Sequence, residues 1–375
     1  DGGARNFVES ANVAKGVSQS SPLALEPDGS LVSTISNEDI SDGHTQRLKT
    51  AAVLTILSAP PPDNSFRPSY SAPTKVSYSA NGLNMGLLQN LPPVGNPPSL
   101  SDVAEGVSRP WIDHVPGWSG GDIHPEDNLP GYGREIATRI GIASLVMNLD
   151  YPEEAKRSTV LGLVQIGIDN YGIVMNGGQS NWYPDGGHAS GRFFPILFAG
   201  LMLSNDEMVG IGQKTGEYAY SGSHLPGDLP SDYVHFGETS QAFYVSGFDV
   251  DHYRASGKEP YTSADIGLPE WGIRHAGQPE EDSRAWAATY RNCCTAISWN
   301  GQILATYLLN AKEYWNNPAL FDYQDRYMEM TGQPDYPNSW HRSWSGFTEA
   351  MWDTYRETHG PSVWDSSTIP GSLDY

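Results

Sequence analysis

From Gly133 onward the apolar residues recur with the period of a helix and scarcely ever with that of a strand, which steers the chain toward a mostly helical fold. Ile136, Ile140, Ala143, Leu145, Val146 and Leu149 mark one such face. Pro152 stands near the first turn of a second helix carrying Ala155, Val160, Leu161, Val164, Ile166 and Ile168. A third pattern runs from about His188 to Leu203, a fourth from Thr239 to Val245 and a long fifth from Ser283 to Asn310. Shorter ones cover Phe321 to Met330 and Trp344 to Glu357. Long loops rich in Gly, Pro and aromatic residues join them.

Apolar helices repeated around a ring, with functional loops gathered at one end, produce this pattern. The expected fold is therefore all-α, an (α/α)6–7 toroid or barrel whose long loops form a cleft. No internal repeat is visible, so the ring is inferred from the helices alone. Residues 1–375 read as a single catalytic domain, with 1–110 a loop-rich wrap and 111–375 the helical toroid core. Within the wrap, Leu48 to Leu57 and Ser101 to Val107 are expected as short helices. The Pro-rich stretches at 59–63 and 91–98 are expected as ordered loops against the core.

Lys plus Arg is 22 against 44 Asp plus Glu, a net charge of −22. A chain so acidic is neither a general nucleic-acid binder nor a ligand of anionic membranes. It still tolerates a locally basic cleft. No apolar run approaches the length of a membrane span. The opening Asp1-Gly2-Gly3-Ala4-Arg5 is read as a mature chain whose signal is either removed or not included in this sequence, and the expected location is secreted or periplasmic. The only cysteines, Cys293 and Cys294, are adjacent. Neighbouring cysteines rarely bond each other, so they are expected as buried thiols.

Three segments concentrate chemistry. The first, 176–192, joins two predicted helices and presents Asn181, Trp182, Tyr183, Asp185, His188 and Arg192 among glycines that permit close approach of a ligand. Amides, an imidazole and a guanidinium beside aromatic rings suit a sugar acid: the ring face stacks and the carboxylate is held. The second, 235–244, places Glu238 and Gln241 three apart at a predicted helix start, where Glu238 serves as acid, base or protonated hydrogen-bond donor. The bland alternative is a first-turn Glu favoured by the helix dipole. The third comprises Trp271-Gly272-Ile273-Arg274-His275 and Tyr290-Arg291-Asn292-Cys293-Cys294-Thr295. There Arg291 beside Tyr290 lowers the phenol's pKa and readies it for proton transfer, or Tyr290 is simply core. Walker loops, a dinucleotide fingerprint, His-Glu-x-x-His and Gly-x-Ser-x-Gly are all absent. The short acidic fragments at 122–124 and 249–252 read as solvated loop rather than a cation site.

The stretch Asn181-Trp182 through Asp185-Gly186-Gly187-His188-Ala189-Ser190-Gly191-Arg192 to Pro195–Gly200, with Trp271–His275 and Tyr290–Thr295, resembles α/α-toroid polysaccharide lyases. It is most similar to polysaccharide lyase family 38, whose members cleave glucuronan or alginate-type polyuronates. The likeness spans about residues 110–330 and leaves 1–110 aside. It implies an (α/α)7-type barrel and β-elimination across C4–C5 of a uronate, without a metal or other cofactor. His188, Glu238 and Tyr290 match the active-site trio, with Arg291 beside it. Elimination requires the C6 carboxylate neutralised, the C5 proton removed and O4 protonated. Glu238, if protonated, with Asn181 and either Arg291 or His188, suits the first task. Tyr290 suits the third and, on the same ring side, the second, where His188 is the alternative base. Trp182, Tyr183 and Trp271 would stack on sugar rings, Arg192 and Arg274 would hold neighbouring carboxylates, and Gln241 and His275 complete the binding set. The partner implied is an anionic polysaccharide. Two other readings stay open: an inverting glycoside hydrolase on the same toroid, with two carboxylates roughly 6.5–9.5 Å apart, and a non-catalytic glycan-binding protein.

Overall fold

The computed structural model describes residues 16–36, 48–112, 133–177, 182, 186–187, 189–215, 233–252, 261–271, 290–332 and 341–364. Over these the chain is helix-rich, with only two small sheets. Its helices are Leu100–Gly106 (α1), Gly133–Met147 (α2), Glu153–Met175 (α3), Phe193–Leu203 (α4), Asp206–Val209 (α5) and Gly247–His252 (α6). Then come Tyr290–Cys293 (α7), Ala296–Leu308 (α8), Pro318–Thr331 (α9) and Gly346–Tyr355 (α10). Two small antiparallel sheets pair Ser30–Ser36 (β1) with Leu48–Thr55 (β2), and Ala242–Tyr244 (β3) with Pro269–Trp271 (β4). No helix among the described residues is long and apolar enough to cross a membrane.

Local chemistry sets the helix ends. Glu153 and Glu154 occupy the first turn of α3, where a carboxylate favours the positive end of the helix. Asn205 accepts from Met208 N at the start of α5, Asn317 accepts from Leu320 N at the start of α9, and Pro318 follows at the first helical position, where its missing N–H costs nothing. α4 is apolar nearly all round, and Phe193, Phe194, Ile196, Leu197 and Phe198 are buried. Burying one such side chain contributes about 1.5–3 kcal/mol.

Two helix pairs form the middle of the core, and glycine decides both. α2 crosses α8 where Gly141 meets Gly301: a Cβ on Gly141 would lie 2.9 Å from the Gly301 Cα. α3 lies on α4 where Gly167 faces Pro195, whose carbonyl oxygen would stand 2.0 Å from an added Cβ. At the far side Arg356 binds Asp325 of α9 with both ends of its guanidinium, at 2.8 and 2.6 Å, and both side chains are buried. The second Pro-rich stretch is an ordered band. Leu91 exchanges hydrogen bonds with Asn148 and Asp150, and Tyr355 Oη donates to Pro92 O at 2.6 Å.

Four expectations fail, each for a local reason. Residues 48–57 form strand β2 and not a helix: Ala51 is buried, Ala52 and Leu54 are exposed and Val53 is half-buried, a period of two among β-branched neighbours. Residues 239–245 are a turn followed by β3, because Phe243, Tyr244 and Val245 suit an extended backbone and β4 supplies the ladder. The pattern from Ser283 to Asn310 is interrupted within its described part. Cys293 and Cys294 form a disulfide, with neither left as a thiol. Successive side chains of a helix point about 100° apart. A bond between adjacent sulfurs therefore ends α7, and Thr295, at φ −121° and ψ −97°, turns the chain into α8.

Candidate functional site

Gly191 has φ +86°, and a Cβ there would stand 2.8 Å from Ala137 N, so only glycine fits this turn ahead of α4. The turn aims the Gly191 amide at the Glu238 carboxylate, at 3.3 and 3.2 Å from its two oxygens. Gln302 of α8 donates from Nε2 to Glu238 Oε1 at 3.1 Å. Glu238 is fully buried. Burial pushes its carboxyl up to about 7, against the opposing pull of its own backbone N–H, the Gly191 amide, Gln302 and the Arg192 charge. The carboxyl thus changes protonation near neutrality inside a fixed set of donors.

The surrounding side chains lock that set. Gln241 Nε2 donates to Gly186 O at 2.8 Å and to Gly237 O at 2.5 Å. Arg192 Nη1 donates to Ser190 O at 2.6 Å, and Trp299 Nε1 donates to Ser190 Oγ at 2.9 Å. Trp182 stacks on Phe236 with centroids 5.4 Å apart, and Phe236 meets Phe193 edge-on at 5.1 Å. Asn317 Nδ2 donates to Thr239 O at 2.5 Å, fixing the segment after Glu238 to the start of α9.

A second cluster lies across the β3–β4 ladder. Glu270, buried in β4, has Arg326 Nη1 at 2.5 Å and Arg291 Nη2 at 3.6 Å. Arg291 also sits over the Tyr323 ring, 5.8 Å from its centroid. Trp271 follows Glu270 and pairs in register with Ala242. A carboxylate between two guanidiniums is a rigid charge-assisted joint that anchors α7 to α9 and β4.

Three separate stretches of chain therefore converge. Gly186–Arg192 and Glu238–Gln241 are hydrogen-bonded to one another, and α8, which follows the Tyr290–Thr295 segment, supplies Trp299 and Gln302. Trp182, Arg192, Glu238, Gln241, Trp271 and Arg291 are all buried. They form a floor and not an exposed rim. The turn at 237–241 brings Gln241 N to Glu238 O at 3.4 Å, so the two share a turn where a helix was expected. Asn181, Tyr183, Asp185, His188, Arg274 and His275 lie outside the described residues, as does the fragment 122–124. Tyr290 is the first residue of α7, and its side chain is outside them too.

α7 ends at Cys293, so Cys294 lies outside the helix that Tyr290 begins. Asp249 of the other acidic fragment caps α6, accepting from Ser246 N at 2.7 Å. No group of three His, Cys, Asp or Glu residues suited to a metal occurs among the described residues. Glu270 and Gln302 were not foreseen. Their signal was a charged or amide residue beside apolar neighbours, which must find a partner when buried. The chain matches no protein-family profile, no curated protein and no solved structure.

Proposed function

We propose that this protein is a polysaccharide lyase that cleaves an anionic polyuronate by β-elimination, working outside the cytoplasm on a helical toroid. The observation that supports it is the Glu238 carboxyl: buried, held by the Gly191 and Gln302 amides, and pushed to about 7. A neutral carboxylic acid donates a hydrogen bond, and β-elimination asks for such a donor. The C5 proton of a uronate is a poor acid while its carboxylate keeps full charge. Protonated Glu238 neutralises that charge directly or through one intervening group, and ionised Glu238 does not. Gln302 Oε1 has no hydrogen-bond partner among the described residues, so a half-turn of that amide presents an acceptor to the Glu238 proton and keeps it in place until substrate arrives. In this reading Tyr290 protonates O4, Tyr290 or His188 takes the C5 proton, and Arg291 is a positioning residue held through Glu270.

The experiment is incubation with polyglucuronate, polymannuronate and polyguluronate, following ultraviolet absorbance and new reducing ends together. A lyase gives both, because elimination leaves a conjugated double bond. New reducing ends without absorbance mean hydrolysis, and neither means a binding protein; each of these outcomes overturns the proposal. Tyr290→Phe is expected to abolish turnover while substrate binding persists.

A further inference from the structure

A cavity of about 220 Å³ lies away from Glu238, between the loop 69–78, the C-terminal half of α3 and α5. Its walls are preformed. Arg67 forms an ion pair with buried Asp169 of α3, and Gln165 binds the Arg67 backbone at both N and O, at 3.1 and 3.0 Å. Lys75 Nζ donates to the carbonyls of Ser69, Tyr70 and Ala72 at 3.0, 3.2 and 2.8 Å, closing the loop on itself. Ser69 packs so close to α3 that a Cβ on Gly172 would stand 1.9 Å from its Oγ. The hollow is open, and Met175 at its rim is 49% exposed.

The chemistry inside is specific. The cavity's lining includes the apolar Ile168, Met175 and Met208 together with Tyr78, Tyr171 and Glu207. Tyr171 Oη donates to Glu207 Oε2 at 3.1 Å. Burial and the nearby Glu207 charge raise both phenols, so they stay neutral and keep their electron-rich faces. No Lys or Arg among the described residues pairs with Glu207. A carboxylate sharing a hollow with two aromatic rings and two thioethers suits a cation with a carbon body. The net charge of −22 adds long-range attraction of the same sign.

We propose that this cavity is a binding site for a small organic ammonium ion, its head at Glu207 between Tyr78 and Tyr171 and its carbon body against Ile168, Met175 and Met208. The probes are phenethylammonium and 2-phenylethanol, alike in shape and different in charge, titrated calorimetrically into the intact protein. The ammonium is expected to bind about tenfold more tightly than the alcohol. Glu207→Gln is expected to erase that preference while circular dichroism and the melting temperature stay as in the parent, because Glu207 is exposed. Equal affinity for the two probes overturns the proposal, as does a preference that survives Glu207→Gln, or failure of the ammonium to bind at millimolar concentration. Uronate cleavage is not read in this experiment, so its outcome is independent of the lyase assay.

Discussion

At the scale of single residues, Glu238 carries the sharpest expectation. Its folded value of about 7 lies above the ordinary 4.5, so the folded state binds the proton more tightly than the unfolded one. The associated stability is whole below about 4.5 and is lost as pH rises through about 7. The size is on the order of 3 kcal/mol. Glu238→Gln keeps the shape and cannot ionise, so its urea-denaturation free energy should lack that part of the fall between acid and mildly alkaline pH. Parallel pH profiles for parent and variant would assign the slope elsewhere. The Cys293–Cys294 bond gives a second expectation. It closes a very short loop, so chain entropy gives it only about 1 kcal/mol of stability. Thiol titration of the denatured protein should find none before reduction and two after. Since Arg134 Nη1 and Trp344 Nε1 both donate to Cys293 O, at 3.3 and 3.2 Å, reduction should also change Trp344 fluorescence.

At the scale of elements, the contact of Gly141 with Gly301 holds α2 on α8 and, through Gln302, reaches Glu238. Gly141→Ala puts a methyl against backbone that has no rotamer to yield, and should cost about 1–3 kcal/mol in urea denaturation. Gly301→Ala should cost a similar amount. The double variant should cost less than the sum, because the first methyl already parts the helices. The helices themselves were legible: α2, α3, α4, α9 and α10 lie where periodicity put them, because each presents one broad apolar face to a common core. The short strands were not. β3 and β4 have three residues each, and a strand that short is decided by its partner, some 27 positions away, and not by its own period. The same limit hid Glu270 and Gln302. Single polar residues in apolar runs announce that a partner exists without saying which. Glu238 and Gln241 were singled out as a pair three apart at an expected helix start, and the structure puts them in a turn instead.

For the whole molecule, charge sets two salt effects of opposite sign. With −22 spread over 375 residues, the folded chain repels itself, and unfolding separates those charges. The Debye length shortens from about 10 Å at 0.1 M to about 3 Å at 1 M, which screens that repulsion. The melting temperature should therefore rise with sodium chloride over that range. A polyuronate carries the same sign as the protein and binds only through local cations. Under the lyase proposal the screening that relieves general repulsion also weakens the close attraction at Arg and His groups, and short-range pairs dominate an affinity that depends on contact. KM should thus rise with salt while kcat changes little. Thermal melts and steady-state kinetics on one salt series measure both trends. If KM falls as the melting temperature rises, repulsion from the acidic surface governs substrate capture and the cleft lacks the positive character that the lyase proposal requires.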